Sequence, residues 1–196
     1  MLSDTPTMQR LLNLAGFNAG AVDGIIGRKT RAALDKWYAA VADIARAAGT
    51  LDPRSEKNVL DLLPEFQYII RRWFLSQAIP AAEKMGLTVK IICGTRTFAE
   101  QAALYAKGRT APGPRVTNAK PGSSFHNYGC AVDVCLFTAS GQPSWDDSLY
   151  RRFFAAAGIP SQCRWGGSFK SFPDTPHLEY IAAGNTTAEL KKYSNS

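Results

Sequence analysis

The chain has 196 residues, of which 45% are hydrophobic, and a formal net charge of +7. That apolar content suits a packed protein and excludes a disordered polyelectrolyte, and no apolar run approaches the roughly 20 residues needed to span a bilayer. The positive charge serves plain solubility or favours an anionic partner such as nucleic acid, acidic lipid or a cell-wall polymer, but the basic residues are scattered in short pairs such as Arg71-Arg72 and build no nucleic-acid-binding tail.

The amino terminus, MLSDTPTMQRLL, lacks the basic segment and apolar core of a secretion signal, so synthesis as a soluble cytoplasmic product is expected. Residues 5–48 read as a small helical unit. Met8, Leu11, Leu12 and Ala15 recur at helical spacing, and Gly16 ends that helix. The glycine-rich turn NAGAVDGIIGRKT follows, then a second helix with Thr30, Ala33, Trp37, Ala40, Val41 and Ile44 on or near one stripe. A unit this small lies near the lower size limit for a free-standing domain. AAGTLDPRSE, residues 47–56, has the composition of a linker, which divides the chain into domains 1–48 and 49–196.

A helical stretch then runs to about residue 85, with Pro64 opening a helix and Pro80 kinking or interrupting it. LTVKIIC predicts a strand, TFAEQAALYAKG a helix ending at Gly108, and residues 109–122 a loop rich in proline and glycine. CAVDVCLF predicts a strand. Ser144 and Asp147 have the spacing of a capping box opening the helix WDDSLYRRFFAAAG, and RWGG and PHLEY predict short final strands. Helices and strands mix without regular alternation, so the fold class is α+β: a small N-terminal helical domain, then a mixed domain with an antiparallel sheet and flanking helices. Cys93, Cys130, Cys135 and Cys163 form no C-x-x-C pair and are expected to be reduced and mostly buried.

Within the strand at 131–137, Val132, Val134 and Leu136 share a core face, while Asp133 lies on the other with Ala131 and Cys135. Its carboxylate faces a cleft or, on an edge strand, solvent. Both histidines of the chain sit near carboxylates: His126 precedes the turn at Gly129 and the strand of Asp133, and His177 lies between Asp174 and Glu179. Two imidazoles and one carboxylate form a catalytic zinc set that leaves a position for water. Such a site also needs a proton acceptor, and Asp174 and Glu179 are both candidates.

SFHNYGCAVDV resembles the S-x-H-x-x-G-x-A-x-D pattern of the D-alanyl-D-alanine carboxypeptidase and L-alanyl-D-glutamate endopeptidase family of zinc peptidases. DTPHLEY is similar to that family's second motif, D/E-x-x-H followed by an acidic residue, and GTRTFAEQAALYAKGR resembles its upstream helix segment. The resemblance covers about residues 54–196. It implies that His126, Asp133 and His177 bind zinc and that Asp174 is the general base, with Glu179 next in line. Arg96 would polarise the scissile carbonyl or hold a substrate carboxylate, unless it makes only a surface ion pair. Ser124, Gln101 and Glu179 would contribute substrate-side hydrogen bonds, the alternatives for Ser124 and Gln101 being turn chemistry and an exposed helix position.

The N-terminal stretch MQRLLNLAGFNAGAVDGIIGRKTRAALDKW resembles a short helical peptidoglycan-binding domain, with Leu11, Gly16, Asp23, Gly24, Gly27 and Thr30 in place; the alternative is a generic helical hairpin. Together the resemblances imply a modular, endolysin-like peptidoglycan hydrolase. It would cut a stem-peptide amide, L-alanyl-D-glutamate first, with a D-alanyl-D-alanine carboxypeptidase or a non-catalytic wall-binding protein as alternatives. Its expected partners are peptidoglycan and a holin for release to the cell wall. It is expected to be a monomer with no nucleic-acid partner and no membrane insertion.

Overall fold

The computed structural model describes residues 4–182 and 186–193. Helices flank one antiparallel sheet, the α+β class expected from the mixed elements. No helix among the described residues is long and apolar enough to cross a membrane.

Helix α1 (Thr5–Leu14) is capped by Asp4, whose carboxylate accepts the Thr7 N–H at 2.7 Å. Helix α2 (Arg28–Ala48) buries Thr30, Ala33, Trp37 and Val41 and leaves Ala40 and Ile44 half-buried. Side chains from both helices shape the loop between them. Gln9 Nε2 donates to Asp23 Oδ1 at 2.9 Å, the Gly24 N–H donates to Gln9 Oε1 at 2.9 Å, and Thr30 Oγ1 donates to the Ala19 carbonyl at 3.1 Å. The polar residues of the N-terminal motif are thus engaged in holding their own turn.

Much of the stretch expected as a linker is ordered structure. Helix α3 (Pro53–Val59) starts within it, with Pro53 in the first turn and Asp52 accepting the Arg54 N–H at 3.1 Å. Glu56 is gripped by Arg71 through bonds of 2.7 and 2.6 Å, and Arg71 also donates to the Gly49 carbonyl at 3.1 Å. Helix α4 (Pro64–Trp73) opens at Pro64, as expected. It continues through a π-helical turn, Phe74–Ala78, into α5 (Ile79–Lys84). Proline has no N–H for the helical ladder, and the widened turn just before Pro80 takes the chain past that gap without a break.

The sheet comprises β1 (Thr88–Cys93), β2 (Ala131–Phe137), β3 (Pro143–Ser144), β4 (Cys163–Trp165) and β5 (His177–Tyr180). Its order is β1-β2-β5-β4, with β3 also paired to β2. Helix α6 (Phe98–Ala106) carries a capping box between Thr97 and Glu100. Helix α7 (Asp147–Ala157) begins later than expected and is capped by Asp146, not Ser144: Asp146 accepts the Ser148 N–H at 2.9 Å, while Ser144 is taken up in β3 opposite Leu136. Helix α8 (Thr187–Lys191) follows β5. One apolar cluster runs from Leu11 and Trp37 through Phe66 and Trp73 to Val134, Phe153 and Leu178. The four cysteines are free thiols, and Cys130 and Cys135 are buried.

Candidate metal centre

Strand register assembles the site. Cys93 on β1 pairs with Asp133 on β2, which pairs with His177 on β5, so the three stand in one row across the sheet. Strand β2 lies between β1 and β5, which removes the edge-strand alternative for Asp133. Val132, Val134 and Leu136 face the core, and Asp133 opens into a cleft of about 730 Å³.

His126 reaches the same point from a 3-10 turn, Phe125–Tyr128, which ends at Gly129 in a left-handed conformation with φ of 64°. Leu11 of α1 packs behind that glycine: a Cβ there would lie 3.0 Å from Leu11 Cδ2 and 3.1 Å from the Asp61 carbonyl oxygen. Asn127 fastens the turn by donating to the Arg96 carbonyl at 2.8 Å and accepting the Gly122 N–H at 3.0 Å.

Three ligand-type atoms meet. His126 Nε2 is 3.3 Å from Asp133 Oδ1 and 3.2 Å from His177 Nδ1, and His177 Nδ1 is 2.8 Å from Asp133 Oδ1. Tetrahedral zinc with bonds of about 2.0–2.1 Å separates its ligands by roughly 3.3–3.4 Å; two edges of the triangle are close to that spacing, and the third, the 2.8 Å His177–Asp133 hydrogen bond, would open slightly around an ion. The outer ring nitrogens are also engaged. His126 Nδ1 lies 2.6 Å from the Gly94 carbonyl, which assigns the proton to Nδ1 and the free lone pair to Nε2. His177 Nε2 lies 3.3 Å from Glu179 Oε1, and Glu179 Oε2 accepts Arg164 Nε–H at 3.0 Å. Cys93 adds a thiol: donor atoms of Cys93, His126 and Asp133 lie within 4.8 Å of one another, a second group able to hold a metal ion.

Asp133 draws positive charge to this point. Burial alone would lower both histidine pKa values and raise that of Asp133. The attraction of each imidazole to Asp133, helped by Cys93 at His126 and Glu179 at His177, outweighs it, raising both imidazoles above the ordinary histidine range and holding Asp133 well below the ordinary carboxylate range. A divalent ion there would compete with protons.

Asp174 also lines the cleft. Its main chain is fixed by a 3.0 Å bond from its N–H to the Gly166 carbonyl and by its own carbonyl accepting the His177 N–H at 3.2 Å. Gly166 packs so tightly that a Cβ would come within 2.4 Å of the Asp174 carbonyl oxygen. Burial raises the Asp174 carboxyl above the ordinary range.

The remaining candidates separate. Arg96 lines the cleft, but its guanidinium donates to Gln101 Oε1 at 2.7 Å and to Cys93 Sγ at 3.2 Å and lies 3.7 Å from Asp133 Oδ2. Gln101 is fully buried behind Arg96 and donates to the Ala119 carbonyl at 2.8 Å. Ser124 and Glu179 both line the cleft, Glu179 with its carboxylate turned to His177 Nε2 and Arg164. The supporting contacts from the Gly94 carbonyl, Asn127 and Arg164 have no local sequence signal, because each depends on a partner distant in the chain.

Residues 117–180 match the family model described as D-alanyl-D-alanine carboxypeptidase. The chain is similar to the peptidoglycan L-alanyl-D-glutamate endopeptidase CwlK of Bacillus subtilis, with 39% identity over 109 residues. That alignment covers 52% of this chain and spans 65% of the relative's length. Among solved structures, the L-Ala D-Glu endopeptidase ChiX of Serratia marcescens aligns with a TM-score of 0.43 and 24% identity, over 67% of this chain and 89% of that one.

Proposed function

We propose that this chain, which carries a domain of the D-alanyl-D-alanine carboxypeptidase family over residues 117–180, is a zinc peptidase that hydrolyses a stem-peptide amide of peptidoglycan, the L-alanyl-D-glutamate bond. The carrying observation is the triangle of His126 Nε2, Asp133 Oδ1 and His177 Nδ1 on the floor of an open cleft, with edges of 3.3, 3.2 and 2.8 Å. The choice of bond follows the similarity to CwlK, named an L-alanyl-D-glutamate endopeptidase. Of the two donor sets, the one with His177 is favoured because His126 Nδ1, the ring nitrogen nearer Cys93, is bonded to Gly94. An ion held there would supply Lewis acidity and a water of lowered pKa.

The chain's own groups do the rest. Asp174 takes the proton of the attacking water and passes it to the leaving amine, a role suited to a carboxyl whose pKa burial has raised. Glu179 holds the His177 ring so that Nδ1 faces inward, and Arg164 holds Glu179. Arg96 steadies Asp133 and brings positive charge to the cleft, where an amide oxygen gains negative charge during attack. Ser124 offers a hydroxyl to the substrate from the cleft wall. On the resemblance of its motif, residues 1–48 tether the enzyme to the wall, where it acts as a monomer after a holin releases it.

The test is digestion of purified sacculi, with and without chelator, followed by mass spectrometry. Fragments with a new N-terminal D-glutamate, lost with chelator and restored by zinc, are expected. Released D-alanine would move the assignment to carboxypeptidase, and intact sacculi under all conditions would leave only the wall-binding reading.

A further inference from the structure

We propose that the cleft carries an anion subsite, formed by the outer edge of the Arg164 guanidinium together with Lys170, that reads a free carboxylate on the residue following the scissile amide; this rests on the peptidase reading above.

The cleft lining holds three carboxylates, Asp133, Asp174 and Glu179, and three cations, Arg96, Arg164 and Lys170. The charges of these six side chains balance, and a divalent ion would leave the lining positive. The cations differ in what they have left to give. Arg96 is committed to Gln101, Cys93 and Asp133. Arg164 turns Nε and one Nη2 hydrogen onto Glu179 Oε2, while its side chain stays 49% exposed and its remaining N–H donors are open to a ligand. The Phe169 ring, 5.1 Å from the guanidinium carbon, restricts the plane in which those donors lie. Lys170, next in sequence to Phe169, lines the same cleft, is exposed, and forms no ion pair with any carboxylate among the described residues.

The chemistry of the substrate supplies the anion. A glutamate whose amine is acylated by alanine has two carboxyl groups, and at most one of them continues the peptide chain. The other stays on the residue directly after the cleaved bond, as a carboxylate or as its amide. A fixed guanidinium edge and a mobile ammonium bind the charged form and gain little from the amide. The subsite therefore makes the enzyme selective for wall peptides whose glutamate is not amidated.

The experiment compares kcat/KM of the zinc-loaded full chain on two synthetic peptides, L-Ala-γ-D-Glu-L-Lys and its D-isoglutamine counterpart. The wild type is expected to prefer the acid by roughly 10- to 100-fold, mainly through KM. In Lys170→Ala the preference falls towards unity, and Lys170→Arg restores it. Equal turnover of the two peptides by the wild type, or an unchanged preference in Lys170→Ala, overturns the subsite while leaving the peptidase reading intact. Failure to cut either peptide overturns both.

Discussion

A general base must be ionised before it can take a proton, and burial raises the Asp174 carboxyl above the ordinary carboxylate range. The acidic limb of the kcat/KM–pH profile should accordingly lie higher than a solvated aspartate would place it, with activity lost as pH falls through it. Asp174→Asn should lower kcat by roughly 100- to 10,000-fold while atomic emission finds the metal still bound; undiminished turnover would remove Asp174 from the role. A second test concerns Arg164, whose loss would release the Glu179 carboxylate that orients His177. Arg164→Ala should weaken zinc binding by roughly 10- to 100-fold in chelator competition. The two histidines and Asp133 were legible in the sequence because each stands out locally: the only imidazoles lie near carboxylates, and Asp133 interrupts an apolar strand. The grip of Arg164 on Glu179 was not legible, since the two become neighbours only through the β4–β5 register.

Short elements with close backbone approaches hold these residues. At the end of β1, Gly94 presents the carbonyl that fixes His126, and a Cβ there would fall 1.9 Å from the Asn58 carbonyl oxygen. Gly94→Ala must push strand and helix α3 apart. A lower Tm together with weaker zinc binding is expected, and a variant with both properties unchanged would show that the Gly94 carbonyl does not position the histidine. Strand alternation and the helix start at Pro64 were readable because they are local rules. The element errors have non-local causes: Asp52 and Pro53 start a helix inside a linker-like stretch that Arg71 then braces, and β2 recruits Ser144 as a strand partner before it can cap α7.

Across the whole molecule, the bond between Glu56 and the fully buried Arg71 ties the chain after α2 to α4. Burial would raise the Glu56 pKa, but the hydrogen bonds and charge of Arg71 outweigh it and leave the pKa lowered. A depressed folded pKa stabilises the fold above the unfolded value, near 4.3 for a typical glutamate, and that stabilisation is lost as pH falls through the folded value. Glu56→Ala strands a buried guanidinium. Because Glu56 is 24% exposed, the cost should lie towards the lower end of roughly 3–5 kcal/mol. Its denaturation midpoint should fall well below wild type at neutral pH, and the gap should narrow on acidification below about pH 4. The apolar cluster shared by α1, α2 and the sheet further predicts a single calorimetric transition for the described fold; two separate transitions would instead fit independent units. The seat of Leu11 against Gly129 also bears on module exchange. A chimera that swaps the first 48 residues for a foreign targeting head would strip the brace from the histidine-bearing turn, so the graft must carry its own leucine wedge or the cutting half will be blunted however firmly the new head grips its target.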